Sequence, residues 1–329
     1  MLFRNAIRLL VENFKGVYKI ALYKFLITLI TSALCCALIL PELIEIFQSK
    51  VMQDLRFGAS NFCSSLFSAD ASGLEEAKNT VLEAIKKLGE LIATRTTKII
   101  LLAIGCVFIY LIKRFVETLC YFTIGDTLND KMTTYSDTPF FTAFVKNLGK
   151  ASIYALVYVP VVFIFDVITF GVVFLILSYI PILVALFMSV SLIVILQALK
   201  LTVTGLWMPS MTTDKVGLKK ALSSKDFAEK RQRWKIYSTY IISVYLIIIV
   251  NAIAGLCTFF SALLITIPAS FMLLICLQYV YYYTVKGKKY FITYDKIASN
   301  PDKGDKEHYF DYVDEPLLAN EQENARLSE

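Results

Sequence analysis

Between Lys150 and Lys200 the chain reads ASIYALVYVPVVFIFDVITFGVVFLILSYIPILVALFMSVSLIVILQAL (151–199), and Asp166 is its only side chain charged at neutral pH. A helix needs roughly 20 apolar residues to cross about 30 Å of hydrocarbon. This one run is therefore long enough for two crossings, and Gly171 is the expected turn between them. The stretch from Ile236 to Val285 repeats the situation, with a break expected near Phe259 to Ala262. Upstream, Ile20 to Leu40 makes a span that Pro41 is expected to end. Ile99 to Ile112 makes a short one between Lys98 and Lys113, which crosses if the flanking lysines snorkel and the bilayer adapts.

The totals agree with this reading. Of 329 residues, 57% are hydrophobic and 18% charged, with a mean hydropathy of +0.62. Soluble domains carry about 25% charged residues, so a soluble fold would have no surface for this much apolar side chain. The expected fold class is an all-α integral membrane protein with about six transmembrane helices. They are arranged as three helical hairpins, each preceded by an amphipathic interfacial helix. Five of the seven cysteines (Cys35, Cys36, Cys106, Cys257, Cys276) lie in apolar runs and Cys120 just beyond one, which leaves no disulfide framework. The first twenty residues are amphipathic rather than continuously apolar, unlike a cleavable signal.

Basic residues orient the spans. Cytoplasmic loops are enriched in Lys and Arg. Arg4, Arg8, Lys15 and Lys19 precede the first span, residues 113–150 hold five basic residues, 200–235 hold nine, and 286–329 hold seven. The opposite loops near 166–171 and 259–262 hold none, and 42–98 holds seven basic against eight acidic residues. Omitting the short span would place 113–150 outside, so the charge pattern favours six spans with both termini cytoplasmic. In the outer loop, Ser72-Gly73-Leu74-Glu75 has capping-box spacing. Leu74, Ala77, Val81, Ile85, Leu88 and Ile92 follow at helical spacing, predicting a helix that runs toward the second span.

The domain reading follows these spans. Residues 1–19 form an amphipathic helix with Phe3, Ile7, Leu10 and Phe14 on its apolar face, suited to the membrane interface. Residues 20–112 form the first hairpin with the outer helical loop 42–98, 113–200 a second unit and 201–286 a third. Residues 287–329 make a polar cytoplasmic tail, with disorder expected beyond 300. A repeat links the units: an interfacial helix precedes each pair of spans, and Pro181 and Pro268 lie 19 and 18 residues before Lys200 and Lys286.

Trp207-Met208-Pro209, then Gly217-Leu218-Lys219-Lys220-Ala221-Leu222-Ser223-Ser224, then basic residues to Trp234 and a long span carry a resemblance. Over residues 139–285 the chain resembles a bacterial multi-pass membrane-domain superfamily. That group includes the membrane domain preceding some glycerophosphodiester phosphodiesterases. The resemblance implies a multi-pass helical domain. It brings no catalysis, because the phosphodiesterase domain is not part of these 329 residues.

Little in the sequence points to a reaction. The single histidine, His308, lies in the polar tail, and there is no Gly-rich phosphate loop, Cys-x-x-Cys pair or His-Glu-x-x-His. The expectation is therefore a non-enzymatic protein with no catalytic residues, no metal, no cofactor and no nucleic-acid partner. Lys215, Lys219, Lys220, Lys225, Lys230, Arg231, Arg233 and Lys235 are candidate contacts for anionic lipid, or topology signals only. Tyr279, Tyr281, Tyr282, Tyr283, Tyr290 and Tyr294 read as an aromatic belt at the same boundary. Asp166, Asn251 and Gln278 are the candidate intramembrane polar site, with Asp166 alternatively marking the outer interface. Asp314-Glu315-Pro316-Leu317-Leu318 has the form of an acidic-dileucine sorting signal. Two functions follow: organising lipid or partner proteins, with protein partners reached through the outer loop or tail, and transport of a small molecule or lipid.

Overall fold

A computed structural model describes residues 2–68, 71–222, 230–294 and 296–298, with backbone alone at 71 and 230–232. The chain is an all-α multi-pass membrane protein. Six of its helices are long and apolar enough to span a bilayer, at Lys15–Phe47, Thr96–Thr134, Phe140–Tyr179, Ile182–Thr213, Arg233–Cys257 and Leu263–Val285. Along the most apolar windows of the first two, almost no side chain is buried. That arrangement is stable when lipid, not water, is the surrounding medium.

Two compact units divide the chain, one formed by Leu26–Lys113 and the other by Met1–Phe25 with Arg114–Glu329. In the smaller unit, helix α2 (Lys15–Phe47) leads to α3 (Lys50–Ser68), α4 (Ala71–Thr94) and α5 (Thr96–Thr134). The predicted outer helix is α4, separated from α5 only by Arg95. It packs on α3 through Ala77 and Ala84. Ile85 and Ile92, expected on the packed stripe, remain exposed. Gly58 explains the close approach, since a β-carbon there would lie 3.1 Å from Val81 Cγ2. Arg95 Nη1 donates to Glu42 Oε1 at 2.6 Å and to Glu45 Oε2 at 2.7 Å, fastening the start of α5 to α2. Pro41 lies inside α2 and does not end it.

The larger unit begins with α1 (Leu2–Glu12) and the first turns of α2. After α5 come α6 (Phe140–Tyr179), α7 (Ile182–Thr204), α8 (Trp207–Thr213), α9 (Leu218–Leu222), α10 (Lys230–Cys257) and α11 (Leu263–Val285). Strands β1 (Tyr290–Thr293) and β2 (Lys296–Ala298) close it as an antiparallel hairpin within the segment read as polar tail. The α6–α7 turn is at Ile180–Pro181, not at Gly171, which lies within α6. Proline disfavours helical backbone in the residue before it, and Ile180 is extended (φ −114°, ψ 143°). A glycine inside a helix costs only about 1 kcal/mol, which Gly171's apolar flanks absorb. Segment 140–150, expected as a separate interfacial helix, is the beginning of α6. The break near Phe259–Ala262 lies where predicted, between α10 and α11, with Phe259 and Phe260 at positive φ.

The core of this unit is built around the last turns of α11. Tyr279, Tyr281, Tyr282, Tyr283 and Tyr290 are all buried, which corrects the aromatic-belt reading; only Tyr294 is exposed. Three of their hydroxyls are bonded inward. Tyr283 donates to Asn129 Oδ1 at 2.8 Å, Tyr279 shares 2.7 Å with Thr212 Oγ1, and Tyr290 accepts from Asn5 Nδ2 at 3.0 Å. Helix α1 lies against α11 and β1 through Asn5, Ala6 and Leu9. Ile7 and Phe14 of the expected apolar stripe face outward, joined by Val11 and by Tyr18 of α2, while Phe3 and Leu10 pack on the core.

Candidate functional site

Helices α5, α6 and α7 each carry charge inside a membrane-spanning segment, and three of those charges meet. Asp166 Oδ1 accepts from Lys200 Nζ at 3.0 Å and from Gln197 Nε2 at 3.5 Å, and Oδ2 accepts from Arg114 Nη2 at 3.4 Å. Glu117, only 3% exposed, lies 4.0 Å from Arg114 one helical turn along α5. The network thus sets two cations against two carboxylates. Charges in hydrocarbon are costly and persist when paired, and in membrane spans they mark functional positions by default.

The reading of Asp166 as an outer-interface marker is overturned by this geometry. Lys200 lies at the end of the apolar run opposite the turn, so its partner lies toward that end too. The cause is the displaced turn: with the chain reversing at Pro181 instead of Gly171, Asp166 is 14 residues from the reversal, about 21 Å along a helix.

A cavity of about 200 Å³ adjoins the network. Arg114, Glu117, Gln197, Lys200 and Gln278 supply its polar wall, and Tyr121, Tyr154 and Tyr158 its aromatic wall. Apart from Thr118 and Met208, the remaining lining is aliphatic or phenyl, including Val162, Val244, Ile275 and Phe271. Lys24 stands close by, donating to Tyr121 Oη at 3.0 Å with its ammonium 3.6 Å from the Phe271 ring centre. Of the three expected polar residues, Gln278 lines the cavity and Asp166 is bonded to three residues that do. Asn251 is elsewhere: it donates to Ser270 Oγ at 3.0 Å and accepts from Thr266 Oγ1 at 2.8 Å, joining α10 to α11. Arg114, Glu117 and Lys200 are the residues that sequence reasoning missed. Their signal was available, since Arg114 and Glu117 are three residues apart on one helix face.

Lys215, Lys219, Lys220, Arg233 and Lys235 are exposed. Lys225 and the side chains of Lys230 and Arg231 lie outside the described residues, as do His308 and the segment 314–318. All seven cysteines are free thiols, and no three His, Cys, Asp or Glu side chains cluster among the described residues. Comparison of the chain with protein-family models, curated proteins and solved structures found no match.

Proposed function

We propose that this protein is a non-enzymatic membrane protein that holds a membrane amphiphile between its helices, with the polar group against Arg114, Lys200 and Gln278. The observation carrying this reading is the cavity itself. It joins a paired-charge wall to an aliphatic and aromatic one, which suits a molecule with a polar end and an apolar end. The charges are engaged with one another, and no nucleophile–base pair faces the cavity, so binding fits the lining better than chemistry does. Both termini are read as cytoplasmic from the distribution of Lys and Arg, and the exposed basic residues from Lys215 to Lys235 are read as contacts for anionic headgroups. The resemblance of residues 139–285 to a bacterial membrane-domain superfamily is consistent with this non-catalytic role. So is the repeated hairpin, although Pro181 precedes α7 while Pro268 lies inside α11.

Extraction of the protein in mild detergent and mass spectrometry of co-purified lipid tests the binding. Val244→Phe, which fills the apolar wall, is expected to remove most of the bound amphiphile while thermal stability holds. An unchanged lipid complement in a folded variant rejects the reading. Transport is the second reading, favoured by charge placed within spans. Solute flux in proteoliposomes that Asp166→Asn abolishes would put transport first.

A further inference from the structure

A second cavity, of about 540 Å³, opens in the larger unit between the α1–α2 junction and the end of α5. Its charged walls are Glu12, Lys15, Lys19, Lys131 and Asp137. Both carboxylates are already engaged. Glu12 Oε1 accepts from Tyr135 Oη at 2.6 Å, and Asp137 Oδ1 lies 3.1 Å from Lys131 Nζ. Lys15 and Lys19 are exposed and have no hydrogen bond or ion pair with any described residue. They sit one turn apart on α2, close enough to address one anion together. With three lysines against two carboxylates, the charged lining as a whole is positive.

What lies beside the groove identifies the ligand class. Tyr18, Leu22 and Phe25 continue along α2 at helical spacing, exposed by 59%, 65% and 58%. On a membrane-spanning helix such a stripe is covered by acyl chain, which places Lys15 and Lys19 at headgroup depth. We infer that this groove binds the phosphate of an anionic membrane lipid through Lys15 and Lys19, with the lipid's acyl chains lying along Tyr18, Leu22 and Phe25. The site is separate from the cavity at Asp166 and from the exposed lysines that follow α8.

Amine footprinting of the full-length protein in nanodiscs tests this. In phosphatidylglycerol, acetylation of Lys15 and Lys19 is expected to be about tenfold slower than in phosphatidylcholine, with the exposed Lys146 and Lys150 of α6 slowed far less. Excess inorganic phosphate added to the phosphatidylcholine discs is expected to give no protection. Equal protection by inorganic phosphate would make this a site for free anions and overturn the lipid assignment. Equal slowing at all four lysines would reduce it to general surface attraction. Lys15→Gln with Lys19→Gln is expected to lower co-purified phosphatidylglycerol, and Lys146→Gln with Lys150→Gln to leave it unchanged; an unchanged level in the first pair overturns the inference. Val244→Phe should leave the Lys15 and Lys19 footprint unchanged, so failure at the inner cavity and failure here are read separately.

Discussion

Asp166 is bonded to a lysine, an arginine and a glutamine inside the larger unit, and that arrangement sets how its replacements behave. Removing one partner of a buried ion pair leaves the other uncompensated, at about 3–5 kcal/mol, whereas replacing both by apolar groups is often neutral. Asp166→Leu alone should therefore destabilise the protein strongly, and adding Lys200→Met should restore part of the loss. Thermal unfolding of the two singles and the double measures the coupling; additive losses would mean that the pair contributes nothing. Gly125 gives a second expectation at this scale. A β-carbon there would lie 2.6 Å from Tyr279 Oη and 3.0 Å from Met208 Sδ. Tyr279 is fully buried and bonded to Thr212, so it has little room to withdraw. Gly125→Ala is expected to cost about 1–3 kcal/mol, seen as a lower midpoint in the same assay.

Elements are joined at their ends by polar contacts as much as by packing. Asp214 caps the end of α8, and Tyr282 of α11 and Lys288 just beyond it both donate to its carboxylate. Burial pushes the Asp214 carboxyl upward, but hydrogen bonds from Lys288 and Tyr282, with the charge of Lys286 nearby, outweigh it and hold the group below its ordinary range. A carboxyl lowered in the folded state stabilises above its unfolded pKa, about 3.9, and loses that contribution as pH falls through the lower folded value. The wild type should thus lose stability between about pH 4 and the acid limit more steeply than Asp214→Asn does. At neutral pH, Asp214→Ala should cost about 1–3 kcal/mol through its two charge-assisted hydrogen bonds. Identical pH profiles for wild type and Asp214→Asn would show that this contact does not link the elements.

At the level of the whole molecule, the proposed topology has six spans with both termini on the cytoplasmic side. Cys63 on α3 is an exposed thiol, and Lys219 is exposed after α8, on the opposite side of the membrane in the proposed orientation. In intact cells an impermeant thiol reagent should label Cys63 but not a cysteine introduced at Lys219. Labelling of the introduced site with Cys63 blocked would reverse the orientation. The structure of α3 and α4 adds a condition: Gly58→Leu should separate their crossing and increase proteolysis of the outer helices.

Membrane class, the number of spans, the α10–α11 break and the outer helix α4 were legible in the sequence alone. Hydrocarbon requires long apolar helices, and that requirement acts on each segment regardless of its neighbours. Proline shows where this stops. Pro41, Pro160 and Pro268 lie inside helices while Pro181 begins one, and local preference does not separate them. Once the turn moved from Gly171 to Pro181, Asp166 changed ends and met Lys200, 34 residues away. The tyrosines of α11 likewise have the composition of an interfacial belt, but α1, α5, α8 and β1 provide partners that bury them. Pairing between distant residues depends on how helices pack and where they reverse, and only the tertiary structure decides that, because burial and charge compensation belong to the assembled bundle and not to any one helix.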